Sequence, residues 1–146
     1  MALILATVTD GAGGLTGVRR SLPKMLGGTH LLAFVPIIPG GYFKMGTGVS
    51  ALDDTLTDLE TPFAIGTAGA GTDGKALVAA DVTYVSPNTL RIQCKLGLAE
   101  GNGVPGGSYF EIGIFDAADR MIAIGKMAAQ PKTGGNELEN YVNISF

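Results

Sequence analysis

The sequence predicts a mainly β domain: an antiparallel sheet or sandwich with one or two short helices and an extended N-terminal arm. Three observations indicate this class. Apolar and polar side chains alternate in several C-terminal segments, a period of two that is typical of strands with one buried face. Glycine supplies 23 of the 146 residues without a fixed period, as expected of tight turns between short strands. Helical periodicity is confined to two short segments.

Three segments outside the central hairpin are predicted as strands. The segment "TLRIQCKLGL" (89–98) alternates most regularly, with one face formed by Leu90, Ile92, Cys94, Leu96 and Leu98. The opposite, polar face is formed by Arg91, Gln93 and Lys95. "ENYVNISF" (139–146) has the same period, with Val142, Ile144 and Phe146 on one face. "KALVAADVTYV" (75–85) is predicted as one further strand that ends at a turn.

The stretch "YFEIGIFDAADRMIAIGKM" (109–127) predicts a β-hairpin. Two apolar runs flank the polar link "DAADR", and a link of this length usually joins antiparallel strands. Asp116 and Asp119 are expected to accept hydrogen bonds from the amides of the turn itself. One face of the first strand is assigned to Phe110, Ile112 and Ile114. In the second strand, one face holds Met121, Ala123 and Gly125, and the other holds Ile122, Ile124 and Lys126.

The two helical segments lie in the N-terminal half. Leu52, Leu56 and Leu59 follow a helical spacing, and Ser50 is a candidate N-cap. The segment 15–26 is a second candidate, although Pro23 interrupts it. We expect one domain over residues 1–146, in which residues 1–14 form an N-terminal arm.

Composition indicates a protein that assembles. The chain is 46% hydrophobic but only 16% charged, whereas soluble domains usually carry about 25% charged residues. This shortage indicates that partner subunits cover part of the surface, so we expect a homo-oligomer. A net charge of −3 argues against a nucleic-acid partner, which would require a basic surface. The apolar start "MALILAT" is too short to span a membrane.

Neither the single cysteine nor the glycine-rich segment predicts a catalytic or binding site. Cys94 alone excludes an internal disulfide and a cysteine-based zinc site, and its strand position predicts a buried thiol. "GAGTDGKA" (69–76) resembles a phosphate-binding loop, but Ala76 stands where the magnesium-binding hydroxyl belongs. A strand-like segment follows it instead of a helix, so a surface turn is the better interpretation.

The acidic residues and the single histidine do not form a convincing catalytic or metal site. His30 lies at the edge of "LLAFV" without a nucleophile elbow nearby, which favours a structural or partner-contacting role. Asp53, Asp54, Asp58 and Glu60 lack the spacing of a calcium loop, and the first two suit the start of a helix.

A paired-carboxylate acid/base site is the remaining catalytic candidate. Glu111 lies on a strand and Asp116 in the turn, so the structural interpretation is better. The sequence therefore predicts no enzyme, no cofactor and no metal site.

The hairpin resembles the "EIGLFDADGxLIAVG"-type hairpin of phage tail-collar and tail-fibre N-terminal attachment domains. The matching positions are Glu111, Ile112, Gly113, Ile114, Phe115, Asp116, Ile122, Ala123, Ile124 and Gly125. Weaker similarities are "YFKMGTG" (42–48), which looks like the early GxG strand and turn of the family, the pair Asp58–Leu59, and "NTLRIQCKLGLAE" (88–100). The resemblance covers residues 42–146.

This resemblance implies a non-enzymatic virion protein that joins a fibre or spike to the tail or baseplate, usually as a trimer. Its partners would be other phage tail or baseplate proteins, and its location the virion. No fibre shaft follows the hairpin region in this sequence, which favours an adaptor, collar or baseplate role. The candidate assembly contacts are Leu3, Ile4 and Leu5 of an arm spanning Ala2–Leu15, together with Arg19 and Arg20.

The alternative is a small carbohydrate-binding or capsid-decoration module. Sugar sites usually contain an exposed aromatic ring for stacking. The chain has no tryptophan, and Tyr42, Tyr84, Tyr109 and Tyr141 all lie in or beside predicted strands. This placement makes the alternative the weaker of the two.

Overall fold

The computed structural model describes residues 3–10, 17–19, 21–23, 39–51, 56–65, 73–86 and 89–145, with only the backbone for the first three ranges and for Ser145. Within these residues the strands are β1 (Leu3–Asp10), β2 (Gly17–Arg19), β3 (Ser21–Pro23), β4 (Tyr42–Gly46), β5 (Pro62–Phe63), β6 (Lys75–Ala76), β7 (Val82–Ser86), β8 (Thr89–Leu96), β9 (Ser108–Phe115), β10 (Met121–Pro131) and β11 (Leu138–Ser145). No helix in the described ranges is long and apolar enough to cross a membrane.

The strands form two antiparallel sheets, which confirms the predicted fold class. The first sheet has the order β3-β1-β11-β8-β7, and the second has the order β2-β10-β9-β4-β5, with β6 also pairing with β4. Side chains from both sheets meet in one core, which contains Phe43, Met45, Ile92, Cys94, Leu96, Ile112, Ile114 and Val142. The molecule is therefore a β-sandwich, because each sheet buries one face against the other.

The strands β8 and β11 follow the predicted alternation. The apolar positions of β8 from Leu90 to Leu96 are buried, and the polar positions between them are half-buried or exposed. The thiol of Cys94 is fully buried, as predicted, and burial raises its pKa. The prediction was wrong at Leu98, which lies beyond the end of β8 and is 53% exposed.

The helix predicted for residues 15–26 is not formed, because residues 17–19 and 21–23 are the strands β2 and β3. These segments pair with β10 and β1, so tertiary pairing overrides a weak helical pattern that Pro23 already interrupts. Of the other helical segment, residues 52–55 lie outside the described part of the chain. Residues 56–60 contain no helical turn.

Residues 75–85 do not form one strand. A 3-10 turn at Ala79–Asp81 separates β6, which pairs with β4, from β7, which pairs with β8. The Asp81 carboxylate accepts a hydrogen bond from the Val78 amide (2.9 Å), which stabilises this turn. The chain thereby crosses from one sheet to the other within a segment that looks continuous in sequence.

The predicted hairpin is confirmed as β9 and β10, joined by residues 116–120. The ladder has two irregularities, one between Met121 and Ala123 and the other between Lys126 and Gln130. Tyr109 joins the core, where its hydroxyl donates to the Gly101 carbonyl oxygen (2.7 Å). Phe110, which we assigned to the same face as Ile112 and Ile114, is only half-buried, whereas those two residues are fully buried.

Residues 3–10 of the predicted N-terminal arm form β1, which is built into the first sheet. β1 pairs with β11 on one side and with β3 on the other. It is therefore an inner strand within the described order, so its backbone hydrogen bonds are made within the chain.

Candidate functional site

Glu111 is a carboxylate with no exposed surface on β9, the strand that carries the resemblance. Its two oxygens accept hydrogen bonds from the backbone amides of Glu60 (3.1 Å) and Thr61 (2.8 Å). The Lys126 ammonium on β10 adds an ion pair at 2.8 Å. A buried carboxylate is stable only with such partners, and here they come from two separate segments.

Lys126 also contacts a second carboxylate. Its ammonium lies 3.0 Å from Oε1 of Glu60, and the same oxygen accepts a hydrogen bond from the Ser50 amide (3.0 Å). The hydrogen bonds from Ser50 and then from Lys126 lower the pKa of the Glu60 carboxyl to about 2. We call Glu60, Glu111 and Lys126 the Glu111 cluster.

The glycines of the "GxG" segment make room for this cluster. A Cβ atom on Gly46 would lie 2.3 Å from the Thr61 carbonyl oxygen and 2.6 Å from Oε1 of Glu111. A Cβ atom on Gly48 would lie 2.4 Å from Oε1 of Glu60. Such distances are far inside van der Waals contact, so both positions need a residue without a side chain.

The Asp58–Leu59 pair also contacts the hairpin region. A Cβ atom on Gly113 of β9 would lie 2.9 Å from a methyl carbon of Leu59, which is 5% exposed. The ammonium of Lys44, which pairs with Gly113 in register, lies 3.1 Å from the carboxylate of Asp58. Three of the four sequence features that support the resemblance thus meet around β9, whereas the fourth, residues 88–100, contains β8 of the other sheet.

Phe115, the last residue of β9, belongs to a small aromatic cluster. Its ring stacks on that of Tyr42, with centroids 5.0 Å apart and an interplanar angle of 2°. The Lys44 ammonium lies 4.8 Å from the centroid of the Phe115 ring, within cation–π range. Burial and the hydrogen bond to Asp119 raise the pKa of the Tyr42 hydroxyl, which therefore stays protonated as a donor.

Asp116 organises the hairpin turn, as the sequence predicted. Its fully buried carboxylate accepts hydrogen bonds from the amides of Ala118 (2.9 Å) and Arg120 (3.0 Å) and from the Arg120 guanidinium (2.9 Å). Asp119 differs from the prediction, because its carboxylate accepts from the Tyr42 hydroxyl (2.9 Å). Asp119 also adopts a φ of 62°, a left-handed conformation that aspartate tolerates in turns.

The Glu111 cluster fastens the base of loop 47–61. At the base, the Thr47 amide donates to the Thr61 carbonyl oxygen (2.9 Å), next to the two amides bound by Glu111. Farther out, Val49 is 72% exposed, although it is apolar. The arrangement thus fastens the described ends of this loop, residues 47–50 and 60–61, to the second sheet. The oxygens of Glu111 and Asp116 are occupied by these structural bonds.

The proposed assembly contacts lie in two places. Leu3, Ile4 and Leu5 are part of β1, and Arg19 is part of β2, opposite Gly125 of β10. Arg20 lies outside the described residues. So do His30, Asp53 and Asp54, together with residues 69–72 of the glycine-rich segment. In the described ranges no group of three His, Cys, Asp or Glu side chains is close enough to hold a metal ion.

Sequence reasoning missed the partner of Glu111. Counting back from the turn without interruption pairs Glu111 with Gly125. The irregularity between Met121 and Ala123 shifts the register by one residue and brings Lys126 opposite Glu111 instead. The available signal was chemical: Lys126 is the basic residue nearest to that position on the second strand.

Of the four tyrosines, one has an exposed ring on which a sugar could stack. Tyr42 and Tyr109 are 4% and 0% exposed. The ring of Tyr141 is approached by the Arg91 guanidinium at 5.3 Å from its centroid. Tyr84 is 64% exposed, and it lies on β7 at the edge of its sheet.

Comparison with known proteins found no match: no family model, no curated protein and no solved structure is significantly similar to this chain.

Proposed function

We propose that the protein is a structural subunit of a phage virion that serves as an attachment or adaptor unit of a tail fibre, collar or baseplate. In this proposal it performs no reaction, needs no cofactor and acts as a homo-oligomer, with three copies implied by the resemblance. Its partners are other tail or baseplate proteins.

The observation that supports this proposal most is the convergence on Glu111. Gly46 and Gly48, the Asp58–Leu59 pair and the hairpin are separate in sequence, yet they contact one another around β9. If these features had arisen independently, nothing would require them to meet. Their contact gives each a physical reason: the glycines admit the carboxylate, and the carboxylate holds loop 47–61.

The mechanism that follows is mechanical. The buried Glu111–Lys126 ion pair and its backbone contacts fix the base of loop 47–61, so a neighbouring subunit that contacts this base would meet a preorganised surface. Val49 and Leu98, which are apolar and exposed, are the kind of side chains that such a neighbour would cover.

The first test is whether the chain is a component of the particle. Virions purified from the source by density gradient are digested and analysed by quantitative mass spectrometry. The proposal expects peptides of this chain at a constant ratio to known tail proteins across the gradient. Peptides that remain at the top of the gradient, apart from tail proteins, would overturn the proposal.

A separate experiment tests the carbohydrate-binding alternative. A glycan array probed with the labelled chain is expected to give no signal above background. A signal that disappears in Tyr84→Ala would instead support the carbohydrate-binding alternative, because Tyr84 is the tyrosine with an exposed ring.

A further inference from the structure

Lys132 is a buried cation that is held by uncharged oxygen atoms. The residue is 2% exposed, and its ammonium donates to the side-chain oxygen of Asn102 (2.6 Å). Its other acceptors are the carbonyl oxygens of Thr133 (2.8 Å) and Leu98 (3.4 Å). Within the described residues no carboxylate forms an ion pair with this ammonium. A buried charge without a counter-charge is costly, so an anion in place of one of these oxygens would be favoured.

Asn102 is the only asparagine in the sequence that is followed directly by glycine. It is exposed, so water reaches its side-chain amide. Gly103 has no side chain to hinder an approach of its backbone nitrogen, and a Cβ atom placed on it would have no neighbour within 4 Å. A ring that joins the two residues therefore has room to form. This is the arrangement in which asparagine loses its side-chain nitrogen.

We propose that Asn102 is a self-modifying site that deamidates in the folded protein, with the Lys132 ammonium stabilising the transition state. The Gly103 backbone nitrogen gives up its proton to solvent and forms a bond to Cγ of Asn102. The bond between Cγ and Nδ2 then breaks and ammonia leaves. Water opens the resulting succinimide at one of its two carbonyl carbons, which gives aspartate or isoaspartate. One water is consumed and one ammonia is released.

The role of Lys132 follows from its contact with Oδ1. Negative charge develops on that oxygen when the Gly103 nitrogen attacks Cγ, and the ammonium already donates to it at 2.6 Å. A donor that is held in place before the reaction stabilises such a charge without reorganisation. The same charge-assisted hydrogen bond draws electron density from Cγ, which makes that carbon more reactive toward the nitrogen.

The product supplies the counter-charge that Lys132 lacks. An aspartate at position 102 would place a carboxylate against the ammonium, whereas the carboxylate of Glu100 in the same loop is already paired with Lys75 (2.8 Å). The reaction gives up the hydrogen bond from Nδ2 to the Leu98 carbonyl oxygen (2.9 Å), which lies at the surface. Loop 97–107 would then be joined to the end of β10 by an ion pair. This reaction is independent of the virion role proposed above.

Peptide mapping by mass spectrometry tests the proposal. Trypsin cleaves after Lys95 and Arg120, and the peptide 96–120 contains one amide side chain, that of Asn102, so its deamidation is assigned unambiguously. The wild type is incubated in mildly alkaline buffer, both folded and unfolded in urea. Asn136, which is followed by glutamate, is the control within the chain.

In the folded wild type, Asn102 should deamidate at least as fast as in the urea-unfolded chain, while Asn136 stays intact. Lys132→Met should slow the folded-state reaction by about tenfold or more, because the donor to Oδ1 is lost. Lys132→Arg keeps a cation and should slow the reaction less. In urea all three proteins should react alike, and circular dichroism checks that each variant is folded in buffer.

A second variant tests the product without relying on the folding of Lys132→Met. Asn102→Asp contains the proposed ion pair from the start, so its midpoint of urea unfolding should lie above that of the wild type. A midpoint at or below that of the wild type would overturn the idea that Lys132 gains a counter-charge.

Three further results would overturn the inference. An Asn102 that stays intact in the folded protein but deamidates in urea would exclude the reaction in the native loop. Equal folded-state rates in the wild type and Lys132→Met would exclude the role of Lys132. A cross-linked peptide that joins residues 96–120 to Lys132 would show that the lysine amine, and not the Gly103 nitrogen, attacks Asn102.

Discussion

Glu111 on β9 and Lys126 on β10 face each other across the hairpin, with 2.8 Å between Oε2 and Nζ. The pair differs from an ordinary surface salt bridge in two ways. The Glu111 side chain has no exposed surface, and its carboxylate also holds two backbone amides of another segment. The hairpin and the base of loop 47–61 are therefore coupled through one side chain.

Glu111→Gln should destabilise the protein by about 3 kcal/mol, because it removes the charge from a buried ion pair and turns an acceptor into a donor facing backbone amides. Urea unfolding measures the change. The matched control is Glu137→Gln, whose exposed pair with Lys95 should contribute far less to stability than the buried pair. Equal effects of the two substitutions would contradict the role of Glu111.

The same substitution should act locally on loop 47–61. The amides of Glu60 and Thr61 donate to Glu111, so their hydrogen exchange should accelerate selectively in Glu111→Gln. Amides in β8 should be affected only through global unfolding. Exchange that rises uniformly along the chain would show that the carboxylate has no special connection to the loop.

Gly46→Ala should be strongly destabilising, since the new Cβ would lie 2.3 Å from a backbone oxygen in an adjacent strand region. We expect a loss of about 2–3 kcal/mol, the upper end for overpacking. Gly134→Ala is the control, because the atom nearest to its new Cβ is 3.7 Å away, an ordinary contact. A Gly46→Ala variant as stable as Gly134→Ala would mean that the segments are not in close contact.

Stability should depend on the ionisation of Glu60. Its pKa is lowered in the folded state from 4.5 to about 2, so the charged carboxylate favours folding. This contribution is fully present above pH 4.5 and is lost as the pH falls toward 2. Melting temperatures across this range should fall less steeply for Glu60→Gln than for the wild type. Parallel curves for both proteins would contradict the assigned shift.

Asn140 is a buried polar side chain that, in contrast to Glu111, lowers the stability of the core. It is fully buried, pairs with Cys94 in register, and its amide makes no hydrogen bond within the described residues. Asn140→Leu, which has a similar shape, should raise the free energy of unfolding by about 1–2 kcal/mol. Chemical denaturation measures the gain, and a loss of stability would show that the amide has a partner that matters.

The regular strands were predictable because burial on one face leaves a period of two. β8 alternates from Leu90 to Leu96, and the hairpin follows from two such runs around a polar link. The turn role of Asp116 was equally accessible, since aspartate commonly accepts bonds from amides two residues on.

The site could not be assembled from local patterns. The Glu111–Lys126 pair depends on a register shift that alternation does not reveal, and Tyr109 is buried although alternation places it opposite Ile112 and Ile114. The turn at Ala79–Asp81, where the chain crosses between the sheets, was predicted as part of a strand because the residues on both sides of it are β-branched. The need for glycine at position 46 arises from Thr61 and Glu111, which are brought there by tertiary folding.

Immunogold electron microscopy of purified virions tests the central proposal most directly. Antibodies raised against the folded chain should label a fixed position on the tail, at the collar, the baseplate or the origin of the fibres. Disrupted particles serve as a control for epitopes that neighbouring subunits cover. Tails that remain unlabelled in both intact and disrupted particles would contradict the assignment of this protein as a virion component.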